Sequence, residues 1–283
     1  MSDGVIGLID ADILVYRCGF AAEKNHYHVR QPAHDITTTL DSSKELKDFR
    51  KLCEGEDLEI ERERVVQPID FCLQMVKTSL DAIKDVVGMD SHLYLTGSGN
   101  FRKDVATILP YKGNRSEFDK PLWYQEIREY MQEVHGAQII DGQEADDEIG
   151  IRAYEIKEHS QEKAVVVSID KDLDMIEGLH YNWVTGAKYK IDSRQAVRNF
   201  YLQMLTGDRT DNIPGIQGIG PKTAEKVLKD YTKESVLYAC VRDEWDKYYP
   251  DGYEGKSTNK VLREIGRLLW IRRKRDELWE PPI

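Results

Sequence analysis

Four short apolar runs, VIGLID (5–10), HLYLTG (92–97), AQIIDG (137–142) and KAVVVSID (163–170), are separated by stretches with helical spacing. That alternation limits the possible folds more than any other feature of the chain. Strands this apolar, KAVVVSID above all, are of the kind buried on both faces, and strand–helix–strand order sets them parallel under covering helices. ILVYRCGFAAE follows the first run and EADDEIGIRAYEIKEH the third, while IDFCLQMVKTSLDAIKDVV carries apolar residues every three or four positions. HYNWVTG and YKID read as a short strand pair. Residues 24–42 are polar and irregular, suggesting a hairpin, and 43–88 show mostly helical spacing. Residues 110–134 begin as a basic loop and continue as a helix, and beyond about 193 no strand signal remains. The expectation is an α/β domain over 1–192 followed by a helical region over 193–283.

No apolar run approaches the roughly 20 residues needed to span a bilayer, and MSDGVIGLID lacks the basic start and apolar core of a signal peptide. This predicts a soluble, cytoplasmic protein that does not engage a membrane. Cys18, Cys53, Cys72 and Cys240 are far apart and fit reduced thiols better than a zinc site. The formal net charge of −11 argues against a general polyanion binder, unless the acids gather in one place.

The strand ends suggest that they do. LIDAD supplies Asp10 and Asp12, IIDGQEADDE supplies Glu144, Asp146, Asp147 and Glu148, and VVVSIDKDLD supplies Asp170, Asp172 and Asp174. Open α/β sheets place their ligand sites at the carboxyl ends of strands where strand order reverses. Acids in a helix's first turn are also favoured by capping and the helix dipole, so any one cluster alone is ordinary. Several after successive strands are not, because crowded ionised carboxylates repel unless a cation joins them. Hard oxygen donors without His or Cys point to Mg²⁺ or Mn²⁺. Two such ions roughly 4 Å apart clamp the attacking and leaving oxygens of a phosphoryl transfer. Lys112 and Arg115 in PYKGNR, with Arg102 and Lys103 behind them, are the candidates to neutralise phosphate charge.

Between AVRNFYLQML and KTAEKVL lies GDRTDNIPGIQGIGP, too rich in glycine and proline for regular structure. Backbone N–H groups in such a hairpin at a helix N-terminus form an anion nest. Gly218 and Gly220 open it, Pro221 starts the helix, and Lys222 and Lys226 add charge. A duplex backbone could be gripped there without reading bases, while Asp208 and Asp211 extend toward the acids.

At this point the chain resembles the 5′ nuclease superfamily: flap endonucleases, the 5′-nuclease domain of bacterial DNA polymerase I, and short phage 5′–3′ exonucleases. The segments that carry the likeness are LIDADILVY, NFRKD through PYKGNR, EADDEIG, VVVSIDKDLD and GDRTDNIPGIQGIGPKTAEKVL. The resemblance implies a PIN-like, Rossmann-like α/β nuclease domain with a helical arch near 102–134. It also implies a helix–three-turn–helix element at 207–230, with K⁺ on the hairpin carbonyls of 215–220. It implies metal ligation at Asp10, Glu144, Asp146, Asp170, Asp172 and Asp211, with Asp208 assisting, and Lys112 and Arg115 at the scissile phosphate. Asp147, from the same acidic run, joins the expected metal set. Asp146 and Asp172, with Lys112 and Arg115, are read as catalytic. The expected DNA contacts are Arg102, Lys103, Lys112, Arg115, Gly218, Gly220, Lys222 and Lys226. Thr96 and Gly97 stand where the family commonly has an acid, and Asp12 is an extra acid nearby.

The expected activity is a Mg²⁺-dependent 5′–3′ exonuclease with flap endonuclease activity, holding two ions, on duplex or branched DNA or an RNA–DNA hybrid. With no polymerase region in view, a free-standing phage protein in the host cytoplasm is expected. The alternatives are a haloacid-dehalogenase-like phosphatase, since DAD resembles that family's nucleophile motif, and an inactive structure-specific DNA-binding protein.

Overall fold

A computed structural model describes residues 4–115 and 120–282. In chain order the first elements are β1 (Val5–Asp10), α1 (Ala11–Ala21), β2 (Glu23–Gln31), β3 (Ile36–Leu40), α2 (Ser43–Leu52), β4 (Glu59–Val66) and α3 (Ile69–Val87). Then come β5 (Ser91–Thr96), α4 (Phe101–Val105), α5 (Tyr124–His135), β6 (Gln138–Ile140), α6 (Ala145–His159) and β7 (Lys163–Val167). The chain continues through β8 (Gly178–Asn182), β9 (Ala187–Ile191), α7 (Ser193–Thr206), α8 (Pro221–Leu228), α9 (Glu234–Tyr248) and α10 (Thr258–Leu269).

The described residues of Met1–Ile13, Ala82–Asp119 and His135–Ile283 form one compact unit. Its sheet has the order β6-β5-β1-β7-β8-β9, parallel except for the β8–β9 hairpin. From β1 the chain builds outward through β5 to β6, then returns to lay β7 on the other side of β1. The order therefore reverses between β1 and β7, where a ligand crevice is expected. The apolar run of β1 is buried along nearly its whole length, which is why it can sit centrally. A single core joins Leu8, Tyr94, Ile149 and Val166 of the sheet layer to Phe200, Met204, Trp245 and Trp279 of the C-terminal helices. The boundary expected near 192 thus does not separate two cores. α7 starts where the Asp192 side chain accepts from Gln195 N at 2.8 Å, and it buries Phe200, Tyr201, Met204 and Leu205 in that shared core.

The second unit is discontinuous, made from Leu14–Asp81 and Lys120–Val134. It contains an antiparallel sheet of order β3-β2-β4. Tyr27, Val29 and Leu46 form its small core, with Phe49, Leu58 and Ile60 against them. The hairpin expected in 24–42 is present as β2–β3, but β4 interrupts the stretch read as helical. Of the expected arch, α4, the turns of 106–115 and α5 are seen, while residues 116–119 lie outside the described residues, as do 1–3 and 283 of the expected domain ranges.

Candidate functional site

The carboxyl end of β1 delivers Asp10 into the crevice beside β7. Its Oδ2 accepts from Ser168 Oγ at 2.8 Å and its Oδ1 from Ile13 N at 3.4 Å. Burial, with Asp12 and Asp170 adding repulsion, pushes its carboxyl up to about 7. After β7, Ser168 also accepts from Asp170 N at 3.0 Å, and Asp170 accepts from Asp172 N at 2.9 Å. Asp172 opens a short 3₁₀ turn and accepts from Gln203 of α7. Burial, then Asp170 and Asp208, push it up to about 7. Asp170 is itself raised, first by burial and then by Asp208 and Asp211.

α6 begins with Glu144 as its cap, and Asp147 Oδ2 accepts from Glu144 N at 3.2 Å. Asp146, in the first turn of the helix, is held well above the carboxylate range by burial and by Asp10, Asp170 and Glu144. Four separate segments therefore bring their acids within electrostatic reach of one another. Asp208 turns its carboxylate onto Thr210 N at 2.7 Å, and the bridge between Asp208 and Ile213 closes this loop.

Glu144 and Asp211 have cationic partners. Lys112 Nζ pairs with Glu144 and lies 3.5 Å from Asp211 Oδ2, and Arg115 Nη2 reaches Asp211 Oδ1 at 2.8 Å. The Tyr111 hydroxyl stands 2.6 Å from Asp211 Oδ2 and 2.9 Å from Glu144 Oε2, so its one proton serves only one of them at a time. Burial favours a protonated Glu144, but Lys112 and Arg102 outweigh it and hold the carboxyl below its ordinary range. Burial disfavours the Lys112 charge in the same way, and Glu144 and Asp211 overcome it, raising the ammonium.

Two expected site residues are placed elsewhere. Arg102 is 3% exposed and forks onto Asp147, so it is not a surface phosphate contact. Asp147, with no exposed surface, takes that fork and two backbone amides, from Glu144 and Arg272. Its oxygens are occupied, and it is not placed as a metal ligand. Lys103, Lys222 and Lys226 are exposed. Gly218 has φ +84°, and a Cβ at Gly218 or Gly220 would meet no atom within 4 Å, so both face open space. Gly215 is different, because a Cβ there would overlap the backbone of Thr206 and Gly207. Asp12 lies by the crevice, accepting from Thr96 N at 2.8 Å. Sequence reasoning passed over Tyr111, Ser168 and Gln203. The first two lie inside motifs already singled out, but Gln203 carries no local signal.

Among the described residues no three His, Cys, Asp or Glu side chains are arranged around one ion position. The donor chemistry nonetheless fits a hard divalent cation: oxygen donors only, their carboxyls raised by burial first and by neighbouring acids second.

Residues 197–273 match the family described as 5′-3′ exonuclease, C-terminal SAM fold. An exodeoxyribonuclease of Enterobacteria phage T3 is 33% identical over 180 residues, covering 59% of this chain and 59% of that protein. Over these stretches the chain is similar to 5′–3′ exonucleases. It spans little more than half the length of the first curated relatives it matches, 52% to 59% of each. T5 5′-exonuclease with bound divalent metal ions (zinc) aligns over 94% of this chain and 89% of its own, with a TM-score of 0.54 and 17% identity. A T5 D15 flap endonuclease variant, in a pseudo-enzyme-product complex with DNA and metal ions, aligns over 94% of this chain and 99% of its own. Its TM-score is 0.50 at 16% identity. At such identity these two likenesses are of fold alone. Among the described residues no helix is long and apolar enough to cross a membrane.

Proposed function

We propose that this chain is a divalent-metal-dependent 5′–3′ exonuclease with flap endonuclease activity, hydrolysing phosphodiesters of duplex, branched or RNA–DNA hybrid substrates. The observation that carries the reading is the convergence of Asp10, Asp146, Asp170 and Asp172 from β1, α6 and the end of β7, where burial and the repulsion of neighbouring acids raise all four carboxyls. Asp10, Glu144, Asp146, Asp170, Asp172 and Asp211 would hold Mg²⁺ or Mn²⁺, two ions in all, with Asp208 assisting. Such ions supply Lewis-acid stabilisation of the phosphoryl oxygens. Ser168 and Gln203 orient Asp10 and Asp172 by hydrogen bonds from outside the ligand set. Lys112 and Arg115 now face carboxylates, and a scissile phosphate offers them an alternative anion, so they move positive charge onto the reacting group. Gly218, Gly220, Lys222 and Lys226 grip the duplex backbone, with K⁺ on the carbonyls of the same hairpin, and Lys103 adds a peripheral contact.

A phage relative is among the matches, and action on replicating DNA in a host cytoplasm fits this reading. The test is cleavage of 5′-labelled flap DNA with Mg²⁺ and with EDTA, alongside a phosphomonoester. Mg²⁺-dependent shortening from the 5′ end supports the proposal. Phosphomonoester turnover without DNA cleavage favours the phosphatase, and DNA binding without any turnover favours an inactive binding protein.

A further inference from the structure

Residues 235–283 contain no motif with a chemical reading, yet their last part reaches the start of α6. α10 ends at Leu269, and beyond it the chain crosses α6 at Gly150. A Cβ on Gly150 would overlap the Arg272 carbonyl oxygen and crowd Ile271, so the crossing requires glycine for space. Arg102 of α4 donates from Nε to Leu268 O at 2.8 Å and from Nη2 to Trp270 O at 2.9 Å. Its fork onto Asp147 measures 2.5 and 2.9 Å. Arg272 N donates to Asp147 Oδ1 at 3.2 Å and its side chain to Gln143 Oε1 at 2.9 Å. Arg275 forks onto Glu148 at 2.6 and 2.7 Å.

Asp147 thus receives four donors, two on each oxygen, and one of them is Glu144 N. A carboxylate so saturated has no free lone-pair direction for an ion. Buried forks of this kind contribute geometry more dependably than net stability. Here the geometry concerns the turn that carries Glu144 and Asp146. We propose that the strap of residues 270–277 is a positioning clamp: with Arg102 and Asp147 it fixes the first turn of α6, so that Glu144 and Asp146 face the acid cluster. The proposal rests on reading those two acids as metal ligands.

The experiment compares Gly150→Ala with Gly266→Ala in the full chain. The first pushes the strap off α6. The second displaces the Trp279 ring, which packs on Gly266 beyond the end of the strap. Gly150→Ala should accelerate hydrogen exchange at the amides of residues 144–148 by about tenfold, equivalent to ~1.4 kcal/mol of local opening. It should also weaken Mn²⁺ binding, read by electron paramagnetic resonance, by about ten- to hundredfold, as when a ligand's outer support is lost. Gly266→Ala should lower Tm while leaving both readouts unchanged. Arg275→Ala, which removes one fork from a half-exposed residue, should act like Gly150→Ala but less strongly, and it serves if the first variant does not fold. Unchanged exchange at 144–148 in variants with lowered Tm overturns the clamp, and faster exchange with unchanged Mn²⁺ affinity overturns its positioning role. If the wild-type chain shows no saturable Mn²⁺ binding, the metal reading fails, while exchange alone still decides whether the strap holds α6.

Discussion

Lys112 occupies a left-handed backbone position, φ 55°, and its amide donates to Asp211 O at 2.9 Å. The turn is held by backbone, so the ammonium is delivered to Glu144 and Asp211 rather than finding them by chance. Lys112→Ala would remove the cation from one buried carboxylate, Glu144, and one partly buried carboxylate, Asp211. We expect a loss of ~1–3 kcal/mol in the metal-free protein, moderated because Arg115 and Tyr111 remain. If Lys112 also meets the developing phosphate charge, its loss should raise the cleavage barrier by roughly 2–4 kcal/mol, chiefly in kcat. Steady-state kinetics on flap DNA checks this, and a change in KM alone would make Lys112 a binding residue only.

The segment between α7 and α8 divides its glycines by task. Gly207, at φ +67°, ends α7 and lies backbone to backbone with Gly215, whereas Gly218 and Gly220 face open space. Gly215→Ala should therefore cost about 1–3 kcal/mol of stability or more, as overpacking does. Gly220→Val, at φ −96°, meets neither steric hindrance nor left-handed strain. It should leave Tm unchanged and weaken duplex binding in Ca²⁺. Normal duplex affinity in that variant would reduce the hairpin to a packing turn. The same contrast shows what was legible beforehand. The hairpin was visible as a breaker, but which glycine packs and which presents depends on neighbours that only folding supplies. The central strands were legible because their burial on both faces leaves unbroken apolar runs. β4, EIERERVV, was not, because mostly exposed positions carry its charges and obscure the period of two. Arg102 looked like a surface base beside PYKGNR, yet its partners lie 45, 166 and 168 residues away along the chain. The second unit was hidden for a similar reason, being assembled from two distant segments.

At the scale of the molecule, the net charge of −11 includes a crevice where carboxyls crowd. In the metal-free protein Asp10 and Asp172 are pushed up to about 7, and Asp146 well above the carboxylate range, from an unfolded value of 3.8. The folded state then binds protons more tightly than the unfolded chain. The stability from these groups is fully present below the unfolded value and is lost as pH rises through the folded values. His180, lowered by burial, acts in the opposite sense over the acidic part of this window, one group against four, since Asp170 is raised as well. In EDTA, Tm should fall between about pH 5 and pH 8, and Mg²⁺ should restore most of it at the upper end. A Tm in EDTA that rises over that range would mean the acids are not crowded as described. The most direct test of the central claim, that these converging acids hold the ions that cleave DNA, uses Asp172→Asn. Its carboxylate sits beyond β7 beside Asp170, with Gln203 orienting it. Single-turnover cleavage of a 5′-flap substrate in Mg²⁺ should drop by orders of magnitude, while flap binding in Ca²⁺ stays near that of the wild-type chain. Cleavage at the wild-type rate in Asp172→Asn would contradict the account.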